Sequence, residues 1–124
     1  MKHNIFAWVE IPVNNMERAI TFYEKVLNVT IKPVDFGGLK MGWFPFAEDA
    51  PGAAGTLIEQ ESYIPSQEGP LVYFYSEDVK IELDRVEDAG GKIYQEKTEI
   101  SPEHGFMAAF IDSEGNRVAL HSQK

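Results

Sequence analysis

The chain is 124 residues long, enough for one ordinary domain or for two very small units sharing a core. Twenty acidic residues against eleven basic ones leave a net charge of −9, which argues against nucleic acid as a partner and against an anionic membrane surface, since both attract Lys and Arg. With no cysteine there is no disulfide framework, thiol nucleophile or thiolate metal site.

Hydrophobic residues make up 44% of the chain, ample for a packed core. No run of roughly 18 apolar residues is present, and Met1-Lys2-His3-Asn4 does not open a secretory signal. The expectation is a soluble, cytoplasmic, globular protein.

Residues 5–13 alternate with period two. Ile5, Ala7, Val9, Ile11 and Val13 fall on one side, with Phe6, Trp8 and Glu10 on the other, as in a strand. Asn14 stands three residues before Glu17, the capping-box spacing, and Met16, Ala19, Ile20, Tyr23, Val26 and Leu27 follow at helical intervals. Short strands are predicted over 30–33, 39–46 and 56–61, broken by turns at Gly37-Gly38 and Pro51-Gly52.

The second half repeats this grammar. Residues 71–76 alternate, Asp78 offers an N-cap, and Val79, Leu83, Val86 and Ala89 mark a helix that Gly90-Gly91 stops. Strands are predicted at about 92–96, 106–111 and 118–122, with a loop at 100–105 and a turn-rich hairpin connection at 112–117. An offset of 63 residues superimposes the halves, carrying Trp8 to Leu71, Met16 to Val79 and Ile20 to Leu83. The expected fold is therefore α+β: one domain over 1–124, built from two βαβββ modules at about 4–62 and 69–123. Together they form a curved mixed sheet, a cup with the helices outside.

If the aliphatic positions face the helices, Trp8 and Glu10 face the cup from one half, and Leu71, Tyr73 and Tyr75 from the other. On the last strand Ala119 and His121 point the same way. Glu10 and His121 then become candidate acid/base partners, because burial shifts both toward neutrality. They read equally well as strand-end residues that pair structurally or reach solvent. Trp43 is core or pocket wall. Glu59 enters the cup only with one strand parity, and the offset, which maps Ala119 to Thr56, favours the other. The histidines His3, His104 and His121 are scattered without metal-binding spacing, and a Glu10–Glu59–His121 site depends on the same parity. No glycine pattern makes a phosphate loop.

Three stretches carry a family likeness. Trp8-Val9-Glu10-Ile11-Pro12-Val13 leads into Arg18-Ala19-Ile20 and Phe22-Tyr23, and the chain closes on Asp112-x-Glu114-Gly115-Asn116 before Val118-Ala119-Leu120. The sequence resembles the vicinal oxygen chelate superfamily, the glyoxalase, bleomycin-resistance and extradiol-dioxygenase group. The resemblance implies paired βαβββ modules, homodimers and a pocket in each cup. In metal-dependent members four inward side chains hold a divalent ion. Here the resemblance puts those positions at Trp8, Leu71, Ala119 and either Ile58 or Glu59, so no metal or other cofactor is expected.

The function expected is binding of a small organic molecule without the usual metal site. Trp8, Trp43 and Tyr73 would give stacking surface beside Leu71, Ala119 and Glu59, and Glu10 and His121 polar anchors. The acidic balance suits basic ligands, as in antibiotic-binding members. The alternative is an enzyme of the lyase, isomerase or dioxygenase type that uses a shifted divalent metal site or an acid/base pair.

Overall fold

The computed structural model describes residues 2–124. Its elements run β1 (Trp8–Pro12), α1 (Met16–Leu27), β2 (Lys32–Phe36), β3 (Leu39–Trp43) and β4 (Ala54–Glu59) in the first module. The second holds β5 (Tyr73–Tyr75), α2 (Val79–Ala89), β6 (Lys92–Ser101), β7 (Gly105–Ile111) and β8 (Arg117–Ser122). The architecture is α+β, two βαβββ modules, and its strands form two four-stranded mixed sheets ordered β1-β4-β3-β2 and β5-β8-β7-β6. In each, the first strand runs parallel to the last.

The 63-residue offset holds at the level of register. Ile11 pairs with Leu57 in the first sheet, and the same shift gives Phe74 paired with Leu120 in the second. The helix starts, Met16 and Val79, and the caps before them, Asn15 and Asp78, obey it as well.

Local chemistry sets the helix ends. Asp78 caps α2 through the backbone N–H of Lys80, and Gly90, at φ 109°, turns the chain out of it. At α1 the cap is Asn15, which accepts from Arg18 N–H at 3.0 Å, rather than the expected Asn14. Asn14 has another task, because its backbone N–H donates to Glu114 from the far end of the chain. Several strands also shift. The 71–76 strand narrows to Tyr73–Tyr75, since Pro70 has no N–H and pairing begins only where Val72 O accepts from Ala119. The strand at 92–96 runs on to Ser101 through register irregularities that hide its alternation, leaving only 102–104 as the turn.

Val9, Ile11, Leu57 and Gly42 lie on the helix side of the first sheet; Phe74, Ala108, Phe110, Val118 and Leu120 do so in the second. These residues join Ala19, Phe22, Tyr23 and Val26 of α1 and Val79, Leu83 and Val86 of α2 in one core. Gly42 has a packing reason to be glycine. A Cβ there would sit about 3.1 Å from Met16 and from Ile31, where α1 crosses the sheet.

The modules meet through this helix side. Phe22 packs on Phe110 with ring centroids 6.0 Å apart, and the rings of Tyr23, Phe44 and Phe74 lie 5.7 Å from one another. Lys25 Nζ donates to Asp88 O and Arg85 Nη1 to Val26 O, tying α1 to α2.

A polar clamp completes the join. The connection between β7 and β8 reads in sequence as a turn-rich hairpin, and within it Asp112, Glu114 and Asn116 are buried. Glu114 Oε1 accepts from the N–H groups of Asn14 and Asn15, both at 2.9 Å. Arg18 grips the same carboxylate with two nitrogens, Nε to Oε2 at 2.7 Å and Nη2 to Oε1 at 2.9 Å. The Tyr23 hydroxyl donates to Asp112 Oδ2 at 2.5 Å. Asp112 Oδ1 accepts from Glu114 N and Asn116 N, and Asn116 Nδ2 donates to Pro12 O. Burial, followed by the Asp112 charge, pushes the Tyr23 phenol well above its usual value. Burial would also raise the Glu114 carboxyl, but hydrogen bonds from Arg18, Ser113 and the Asn15 and Asn14 backbone outweigh it and hold it below its ordinary 4.5.

Glu114→Ala strands two helix-terminal N–H groups and the Arg18 guanidinium, so it is expected to lower the unfolding free energy by about 3 kcal/mol, measured by denaturant titration. The unfolded chain takes up the Glu114 proton at a higher pH than the folded one. Stability from this group is therefore complete above pH 4.5 and declines as pH falls toward the lower folded value. Glu114→Gln should show a flatter acid dependence over that window, and an unchanged dependence would remove Glu114 as its source.

Candidate functional site

Strand alternation leaves the second face of each sheet free of helices. On the first sheet this concave side carries Trp8 and Glu10 of β1, Thr56 of β4, Trp43 of β3 and Phe36 of β2. Trp8 meets Trp43 edge to face at 5.9 Å, and Phe36 tilts against Trp43 at 6.2 Å. Trp8 is 43% exposed and Phe36 57%. Trp8 and Phe36 thus present accessible aromatic surface on either side of the half-buried Trp43. Glu10, also exposed, shares this face.

On the second sheet the corresponding face holds Tyr73 opposite Ala119 and Tyr75 opposite His121, with Arg117 at the start of β8. Ala119 is fully buried and Leu71 half-buried, while Tyr73 remains 49% exposed. A hollow of about 460 Å³ opens there, lined by Tyr73, Tyr75, Ile100, His104 and His121. His121 Nε2 lies 2.6 Å from the carbonyl of His104. A carbonyl only accepts, so the proton sits on Nε2, and in the neutral ring Nδ1 is left as the acceptor.

The structure joins some of the candidates and separates others. Trp8 and Trp43 touch, and Tyr73, Ala119 and His121 share one face. Glu10 and His121 stand on different sheets, and among the described residues no hydrogen bond links them.

Glu59 lies on the helix side, the parity that the repeat favours, and so does not join the concave face. Its Oε1 accepts from Met16 N–H at 2.8 Å, at the start of α1. The offset carries Glu59 to Ser122 and Met16 to Val79, and Ser122 Oγ accepts from Val79 N–H at 3.2 Å in the same manner. In both modules the last strand supplies a cap for the module's own helix. The offset between Glu59 and Ser122 is the sequence signal that identifies this role.

Two features of the concave faces had no sequence signal. Trp43 Nε1 and Arg117 Nε are buried, and neither has a hydrogen-bond partner among the described residues. Both are donors that the protein itself covers, which leaves each without an acceptor among the described residues.

The donor set does not fit a metal ion. Trp8, Leu71 and Ala119 offer an indole, an isobutyl group and a methyl. Ile58 is a buried alkyl side chain, and Glu59 is committed to α1. Thr56, which the offset equates with Ala119, keeps its hydroxyl within reach of the Gly42 and Leu57 carbonyls. Among the described residues no three His, Cys, Asp or Glu side chains group so as to hold an ion.

With this geometry in place, residues 5–120 match the family model described as the glyoxalase/bleomycin resistance protein/dioxygenase superfamily. The chain belongs to this superfamily. Among curated proteins no relative matches in sequence. Solved structures of the superfamily share the fold at low identity. A glyoxalase/bleomycin resistance protein from Albidiferax ferrireducens superimposes with TM-score 0.74 at 16% identity, over 98% of this chain and 100% of that one. Glyoxalase I from Zea mays gives TM-score 0.70 at 22% identity over 94% of this chain. The chain spans about half of the maize enzyme, 45% of its length. An antibiotic binding protein from a Streptomyces species gives TM-score 0.69 at 16% identity, over 100% of this chain and 99% of that one. Among the described residues no helix is long and apolar enough to cross a membrane.

The capping role of Glu59 has a direct check. Glu59→Ala and Ser122→Ala should each lower the unfolding free energy by about 1 kcal/mol in thermal or chemical melts. Equal stability of Glu59→Ala and the parent chain would return the Glu59 carboxylate to the list of groups free for a ligand.

Proposed function

We propose that this superfamily member binds a small organic molecule with a planar, apolar portion on its concave faces, without a metal ion. The observation that supports this most is the Trp8–Trp43–Phe36 platform, an accessible apolar surface on the helix-free side of a sheet whose ligand positions carry no metal donor. The antibiotic-binding relative makes sequestration a natural form of this role. His121 Nδ1 supplies an acceptor on the second face, and Glu10 a carboxylate on the first.

Each face is open in the single chain, with Trp8 and Phe36 exposed on one and Tyr73 and Tyr75 on the other. A second copy covering them gives an enclosed pocket in which aromatic platform and histidine face one another, so the working unit is a homodimer. Sedimentation is expected to show a dimer at the concentrations where ligand binds. A monomer with full affinity would remove this part of the reading.

Titration of tryptophan fluorescence with neutral aromatic compounds should quench the signal. Trp8→Ala should weaken binding about tenfold through loss of stacking area. Treatment with EDTA should leave both the melting temperature and ligand affinity unchanged. Loss of binding on chelation, restored by Zn²⁺ or Ni²⁺, would favour the enzymatic reading with a shifted metal site.

A further inference from the structure

The chain has three arginines, and two are engaged with the protein. Arg18 grips Glu114, and Arg85 donates to the Val26 carbonyl. Arg117 is half-buried, its Nε is fully buried without an acceptor, and no carboxylate pairs with it among the described residues. In a chain with 20 acidic residues, an unpaired and partly desolvated guanidinium stands out, because leaving a buried charged donor unmet costs more than the net worth of a hydrogen bond.

The register places this group. Arg117 pairs with Ile111, while the adjacent pair Val118 and Phe110 belongs to the core, so Arg117 lies on the helix-free face. The ionisable side chains that the strand pairing puts on the same face are Lys92, Tyr73, Tyr75 and His121, none of them acidic. Trp43 Nε1, the other orphaned donor, belongs to the helix-free face of the first sheet. On the helix-free face of the first sheet, the one carboxylate that strand pairing places among the described residues is Glu10. Among the strand residues of the second face the charges are therefore cationic, Arg117 and Lys92, with no carboxylate.

We propose that Arg117 anchors the acid group of the bound molecule, so that the ligand is an organic acid whose carboxylate accepts from the two terminal Nη groups beyond the covered Nε, and whose planar portion meets the aromatic rings. This deepens the pocket reading above and rests on it. A planar guanidinium matches a carboxylate with two parallel hydrogen bonds, and it holds its charge across the whole physiological range. The acidic surface then acts against stray anions, and selection falls to the one site where the sign is inverted.

The test is calorimetric titration of the intact protein with naphthoate and with the isosteric, uncharged naphthamide. The wild type should bind naphthoate about tenfold or more tightly than naphthamide. Arg117→Gln should bring the naphthoate-to-naphthamide affinity ratio to about one, and Arg117→Lys should keep only part of it. Equal affinity of the wild type for the two compounds overturns the assignment while leaving the pocket reading intact, and so does an acid preference that survives in Arg117→Gln. Failure of the wild type to bind either compound overturns the pocket reading and this inference together. The wild-type comparison decides the matter even if the glutamine variant does not fold.

Discussion

The carboxylate of Glu114 holds the molecule together at its most constrained point. Two helix-terminal N–H groups and a two-pronged arginine converge on one side chain that has no access to water. Without it, the start of α1 and the turn between β7 and β8 would each carry unmet polar groups into a buried junction. Asp112 and Tyr23 extend the junction inward, and Asn116 fastens it to the end of β1. The relative placement of the two sheets follows from this set of contacts and from the aromatic packing of Phe22, Tyr23, Phe44 and Phe74 beneath it.

This gives a physical meaning to the most specific motifs in the sequence. In this chain the Arg-Ala-x-x-Phe-Tyr helix and the Asp-x-Glu-Gly-Asn turn are the two halves of one clamp, on the helix side of the sheets, away from the candidate site. They maintain the architecture and place no demand on the chemistry of the concave faces. Those faces carry an indole at Trp8, an isobutyl group at Leu71 and a methyl at Ala119 with no involvement in the clamp.

Much of the architecture was legible because it depends on local periodicity. Alternation at Val9 and Ile11 told the core side of β1 from the side of Trp8 and Glu10, and Asp78 and Gly90 bracketed α2. What was hidden depends on partners distant in sequence. Nothing near Asn14 shows that its backbone N–H is already taken, so the cap looked one residue too early. Asp112, Glu114 and Asn116 have the composition of a turn-rich hairpin and are buried only because α1 arrives above them. Arg117 at a strand start reads as a surface residue, and only the lack of an acceptor around a buried Nε sets it apart. The separation of Glu10 from His121 on different sheets is likewise a property of how the modules dock, which no periodicity encodes.

The donors of Asn14 and Asn15 lie 100 and 99 residues before the carboxylate that receives them. A chain being synthesised therefore presents the first helix long before its anchor exists. Until the closing hairpin emerges, the first module has its sheet and its own Glu59 cap but an unfinished junction, with Tyr23 and Phe22 lacking the surface that buries them. Completion waits for a contact of very high sequence separation, the kind that slows folding and prolongs exposure of apolar side chains. For this protein the first module completes its packing only once the β7–β8 turn is in place, so the two modules are not independent halves.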